Sequence, residues 1–110
     1  MDAAVLEAVR KYAEIVRAHL PAKAVVLFGS QVKGGATGSS DIDVAVVVEG
    51  FTGDYLDASS SLFALVRGID TRIEPVLIDR TRDPAGFLES IMKEGHIIFS
   101  SEPDNNSMTL

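Results

Sequence analysis

The stretch Phe28–Val48, FGSQVKGGATGSSDIDVAVVV, decides how the rest of the chain is read. The run Ala24–Phe28 is apolar and β-branched, which predicts a strand buried on both faces. It breaks at Gly29-Ser30, and a short helical turn through Val32 and Lys33 is expected after Ser30. Gly34, Gly35 and Gly38 end that turn, and Thr37, Ser39 and Ser40 are turn formers. A second strand is expected over 41–48, opening with Asp41 and Asp43. Carboxylates at i and i+2 on a strand point to the same face. Two like charges held that close call for something positive between them, and a divalent metal meets that need. Gly29 permits close backbone approach to an anion. Ser30 and the N–H groups after it can complete a phosphate site at a helix start. The expected ligand is a nucleotide phosphate with Mg²⁺, a hard cation that favours oxygen donors, between it and the aspartates. A second metal on the same acids would activate an acceptor hydroxyl for in-line displacement.

The flanking sequence reads as the scaffold of this stretch. Residues 2–19 predict a helix with an apolar stripe of Leu6, Val9, Ala13, Val16 and Leu20. Asp2 is its expected N-cap, Glu7 pairs with Lys11, and Pro21 ends it. A second long helix is expected from a cap at Asp54 to Gly68. A third strand is expected over 72–78, with Pro75 inside it arguing for an edge position or a bend. Asp83-Pro84 predicts a helix start, with Phe87, Leu88, Ile91 and Met92 as its apolar face and Gly95 as its end. Residues 97–99 predict a short extra strand.

Composition narrows the functions. The chain has 110 residues, which predicts one domain over 1–100 and a disordered polar tail, SEPDNNSMTL, over 101–110. Its net charge of −6 disfavours direct nucleic-acid binding, which needs basic surface. The chain has no cysteine, so thiolate chemistry is excluded, and a cytoplasmic location is expected. No apolar run reaches the ~20 residues that span a bilayer, and the amphipathic N-terminus is unlike a signal peptide. The P-loop pattern and GxGxxG are both absent.

A hydrophobic-Gly-Ser, ten residues, then Asp-hydrophobic-Asp resembles the signature of the DNA polymerase β-like nucleotidyltransferase superfamily. In size and in the form GSQVKGGATGSSDIDVAVV, the chain is most similar to its minimal nucleotidyltransferases. The closing IMKEGHIIF resembles their last helix and strand. The resemblance implies an α/β (α+β) fold: a small mixed sheet of three main strands plus a short extra one, flanked by helices. It implies transfer of a nucleoside monophosphate, read as AMP from ATP though another nucleoside triphosphate fits equally, to a hydroxyl with two Mg²⁺ ions. Gly29, Ser30 and Lys33 would bind the nucleotide, and Asp41 and Asp43 the metals. Lys33 stands where many relatives carry arginine, so it offers a point charge rather than a fork. The family also uses a third carboxylate on a neighbouring strand. Here that position falls to Glu74, as metal ligand or general base, where relatives more often have Asp. Asp70 and Asp79 are the substitutes.

The rest follows from the short chain. A hydroxyl acceptor is expected from outside it. In the family that acceptor is often a small helical HEPN-type partner, the nucleotidyltransferase serving as antitoxin. The alternative is a weak or inactive module of the same fold that binds nucleotide or a HEPN partner. A transferase acting on an aminoglycoside-like small molecule ranks last. Exposed apolar residues on the helices fit a homo- or hetero-oligomer. His19 is read as capping helix carbonyls and His96 as a turn residue. Arg72, Arg80 and Arg82 are read as a solvated face, with triphosphate or an acidic partner as their other use.

Overall fold

A computed structural model describes residues 2–83 and 85–101. The expected tail beyond Ser101 and Pro84 of the expected helix start lie outside the described residues. Helix α1 spans Ala3–His19, capped by Asp2, whose side chain accepts from the Ala4 N–H at 2.8 Å. Strand β1 is Ala24–Phe28, the short helix α2 is Ser30–Lys33, and strand β2 is Ile42–Val48. Helix α3, Tyr55–Ala64, starts at the Asp54 cap and tightens into a 3-10 turn over Leu65–Gly68. Strand β3 is Ile73–Asp79, helix α4 is Phe87–Glu94 and strand β4 is His96–Ser100.

The four strands form one mixed sheet in the order β3-β2-β1-β4. β1 pairs antiparallel with β2 and β4, and β2 pairs parallel with β3 through the α3 crossover. Pro75 sits on the edge strand β3, as its missing N–H requires. The expected short extra strand is a full member, as long as β1.

Alternation along β2 sorts the side chains onto two faces. Ile42, Val44, Val46 and Val48 pack on one face against α1 and α3. Ala45 and Val47 pack on the other with Val26, Ile78 and Ile91 of α4. Among the described residues, the first face is covered by two helices and the second by α4. The second face is therefore the thinner one, and it carries Asp43.

Three expectations change on inspection. The buried stripe of α1 is Val5, Val9, Tyr12, Ala13 and Val16, with Leu6 and Leu20 only partly buried. Tyr12 belongs to the core because its hydroxyl has a partner there, the Leu62 carbonyl at 2.7 Å. Burial pushes its phenol well above the usual range. We expect Tyr12→Phe to cost about 1.5 kcal/mol by orphaning that carbonyl. That is about 6 °C in Tm, checked by thermal unfolding. Helix α4 begins at Phe87 rather than at 83–84. Asp83 still caps it, because its carboxylate accepts from the N–H groups of Phe87 (3.2 Å) and Leu88 (2.9 Å) across the turn. Gly68 closes the 3-10 turn, and Ile69 is the cap residue there.

Candidate active site

The site is built where β1 ends and β2 begins. Gly29 has φ 78° and ψ −150°, a region essentially closed to residues with a Cβ. A Cβ placed there would overlap Oδ2 of Asp43, so glycine lets the turn lie directly against that carboxylate. Lys33 N–H donates back to the Gly29 carbonyl at 3.0 Å and Gly34 N–H to that of Ser30 at 3.0 Å, closing α2. Thr37 N–H donates to Ser40 Oγ at 2.8 Å, which tightens the loop before Asp41.

Asp41 is exposed and stands one residue before β2, not within it as the sequence suggested. Strand pairing starts only at Ile42, whose N–H reaches the Arg72 carbonyl at 2.8 Å. Asp43 is half-buried and lies opposite Phe28 on one side and Glu74 on the other. Partners in a parallel register share a face, so Glu74 projects beside Asp43. Burial first, and the charge of Asp41 second, push the Asp43 carboxyl up. A half-buried carboxylate with a second acid beside it suits a divalent cation, and carboxylate oxygens are the donors Mg²⁺ prefers. Among the described residues, no three His, Asp or Glu side chains close into a ready-made metal cage. Glu74 is exposed, so its longer side chain is free to complete the set.

The two halves of the expected phosphate site open on different clefts. Ser30 lines a polar cleft of about 450 Å³ with Gln31, Gly34, Thr37, Gly38 and Arg72. Lys33 lines a smaller one of about 130 Å³ with Phe28, Gly29, Phe87, Ser90 and Glu94. There Lys33 Nζ pairs with Glu94 at 3.0 Å, both side chains more than half exposed. Such a surface pair is worth about 0–1 kcal/mol, so a phosphate can displace it. The Phe87 ring stands edge-on to Phe28, with centroids 6.1 Å apart. A third cleft, about 320 Å³, opens beyond β3 between Phe51, Tyr55, Val76 and Phe87.

The two substitute acids are engaged elsewhere. Asp70 is gripped by the Arg72 guanidinium, Nη2 to Oδ2 at 2.7 Å, which holds its carboxyl below the usual range. Asp79 lies at the far end of β3 and is buried. It accepts from the Thr81 hydroxyl and N–H and from the Gly50 and Phe51 N–H groups, which depress its pKa, the Thr81 hydroxyl most. A depressed folded pKa means stability that is full above the unfolded value of about 3.9 and lost as pH falls below it. Asp79→Asn is therefore expected to be less stable than the parent at pH 7. The gap should narrow at about pH 2.5, as urea unfolding at the two pH values will show.

The arginines are not simply a solvated face. Arg72 is bonded to Asp70 and to the Gly38 carbonyl (2.9 Å), and Arg80 Nε to Glu49 at 2.8 Å. His19 Nδ1 lies 2.9 Å from the Ile15 carbonyl, the capping role expected of it. His96 is the first residue of β4 rather than a turn residue.

The sequence model of the family "Polymerase beta, Nucleotidyltransferase" matches residues 10–104. The chain is a member of that nucleotidyltransferase family. Its fold is shared by solved structures of low sequence identity. A candidate nucleotidyltransferase from Sulfolobus solfataricus is 20% identical, over 88% of this chain and 81% of that one, with a TM-score of 0.64. A toxin–antitoxin structure with AMP-PNP is 23% identical, over 89% and 78%, with a TM-score of 0.65. A toxin–antitoxin MntA–HpeT mutant is 19% identical, over 88% and 76%, with a TM-score of 0.62. No curated protein sequence gives a significant match. Among the described residues, no helix is long and apolar enough to cross a membrane.

Proposed function

We propose that this nucleotidyltransferase moves AMP from ATP, or the corresponding group of another nucleoside triphosphate, to a hydroxyl on a protein partner. The observation that carries the reading is the packing of Gly29 against Asp43, which sets the turn that would take the phosphates beside a carboxyl that burial and the charge of Asp41 push up. Asp41, Asp43 and Glu74 would hold Mg²⁺, as two ions, which supplies charge neutralisation at the phosphates and at the attacking oxygen. Gly29 and Ser30 would take the triphosphate through backbone and hydroxyl. Lys33 would leave Glu94 to neutralise a phosphate oxygen. Glu74, exposed on the β3 side, would accept the proton of the incoming hydroxyl as that oxygen bonds to the α-phosphorus and pyrophosphate departs. The acceptor would then approach from the β3 side, where the Phe51–Phe87 cleft lies.

Two of the fold neighbours are toxin–antitoxin structures, one of them with AMP-PNP. They support reading this chain as the antitoxin of a pair with a small helical HEPN-type toxin, in the cytoplasm where ATP and Mg²⁺ are plentiful. The second reading, a nucleotide- or partner-binding module with weak or no turnover, is favoured by one observation: among the described residues, no three acids close into a cage. Isothermal titration separates the readings. ATP binding that strengthens with Mg²⁺ and fails in Asp43→Ala supports the enzyme. Binding indifferent to Mg²⁺, or none, supports the module.

A further inference from the structure

The segment that carries Asp41 is tied to one residue of the turn before β3, Arg72. It lies outside the sheet ladder and is exposed, so neither strand pairing nor core packing fixes it. The chain on either side of it is tied to Arg72. Three residues before Asp41, the Gly38 carbonyl accepts from Arg72 Nη1 at 2.9 Å. One residue after it, the Ile42 N–H donates to the Arg72 carbonyl at 2.8 Å. Just before Asp41, Ser40 N–H bonds the Thr37 carbonyl at 3.1 Å, closing the turn that carries Gly38. The only other hold on Asp41 among the described hydrogen bonds is Gln31 Nε2 on its carbonyl at 3.3 Å.

Arg72 is itself aimed. Asp70 accepts from its Nε at 3.1 Å and its Nη2 at 2.7 Å, a forked pairing, and from its backbone N–H at 3.0 Å. The side chain is only one-third exposed. A fork of this kind fixes the plane of the guanidinium, which a lysine ammonium cannot do.

The geometry points to Arg72, oriented by Asp70, as a positioning residue that sets Asp41 against Asp43 and so sets the affinity of the site for a divalent cation. This deepens the metal reading above and rests on it. Loss of the guanidinium releases the Gly38 anchor while the backbone anchor at Ile42 remains, so β2 stays paired and the segment from Gly38 to Asp41 drifts.

The test is Mn²⁺ alone, titrated into the full chain and followed by the electron paramagnetic resonance signal of the free ion. Arg72→Met is expected to weaken Mn²⁺ binding about tenfold or more, as loss of an outer-shell orienter does. Arg72→Lys is not expected to restore it. On an Asp41→Ala background, Arg72→Met should add less than about a twofold loss, because the effect runs through Asp41. Without metal, hydrogen exchange should quicken at residues 38–41 and stay slow at Ile42 and along Val44–Val48. Asp70→Asn keeps the guanidinium but loosens its fork, and gives the same test should Arg72→Met not fold. Parent-like Mn²⁺ affinity in the variants, or a full loss on the Asp41→Ala background, overturns the inference and leaves the metal site standing. Failure of the parent chain to bind Mn²⁺ overturns the metal reading and this inference with it.

Discussion

Gly29→Ala is expected to lose Mg²⁺-dependent ATP binding by more than about tenfold and to lower Tm by about 10 °C. Two costs coincide at this position. The backbone at φ 78° and ψ −150° strains any residue with a Cβ, by about 1–3 kcal/mol. The new methyl also meets the Asp43 carboxylate, which must move off the turn. Under the proposed function the second cost is the functional one, since it separates the turn that would take the triphosphate from the acid that would hold the metal. Gly50→Ala, away from the clefts, is the control. It too has positive φ, 63°, but a Cβ there meets nothing within 4 Å. It should lower Tm by strain alone and keep ATP affinity. Equal losses of affinity in the two variants would show that the contact with Asp43 does not matter.

Asp43→Asn is expected to cut AMP transfer by about a hundredfold or more while raising Tm at pH 7 in the absence of metal. The sign follows from the direction of its shift. Burial and Asp41 raise the folded pKa of Asp43, so the folded state holds that proton more tightly than the unfolded chain. The stability this brings is present below the unfolded value of about 3.9 and lost as pH rises through the folded pKa. At pH 7 the charged carboxylate is a net cost, and asparagine removes it. Below about pH 4 the two proteins should converge. Mg²⁺ should raise the Tm of the parent and leave the variant unchanged. A variant less stable than the parent at pH 7 would make Asp43 a structural residue and contradict the account.

The sequence was legible where chemistry and local conformation coincide. The glycine and serine after an apolar run, and two acids re-entering a strand, each carry their own physical reason; the turn formed where that reason put it, and the strand opened one residue late, after Asp41. Pro75 marked an edge strand because a missing N–H has few other places in a sheet. What was not legible depends on contacts between distant segments. Glu74 was expected beside the aspartates through the family resemblance alone; its pairing with Asp43 follows from the parallel register of β2 and β3, which no local pattern fixes. Tyr12 entered the core through a carbonyl fifty positions away. Asp79 looked like a spare site acid, yet its oxygens are consumed by the turn at Gly50 and Phe51. Helix α4 started late because Asp83 caps it through its side chain across the intervening turn. Arg72 looked like surface charge because its partners, Asp70 and the Gly38 carbonyl, come together only in the fold.

The central claim is that the Gly29–Asp43 junction activates a nucleotide for transfer to another protein. The most direct measurement is transfer of label from ATP labelled at the α-phosphate, with Mg²⁺ and the purified product of the adjacent reading frame. The account predicts label on that protein with the parent chain, none without Mg²⁺, and none with Asp43→Ala. No label with the parent chain, or label that persists in Asp43→Ala, would contradict it.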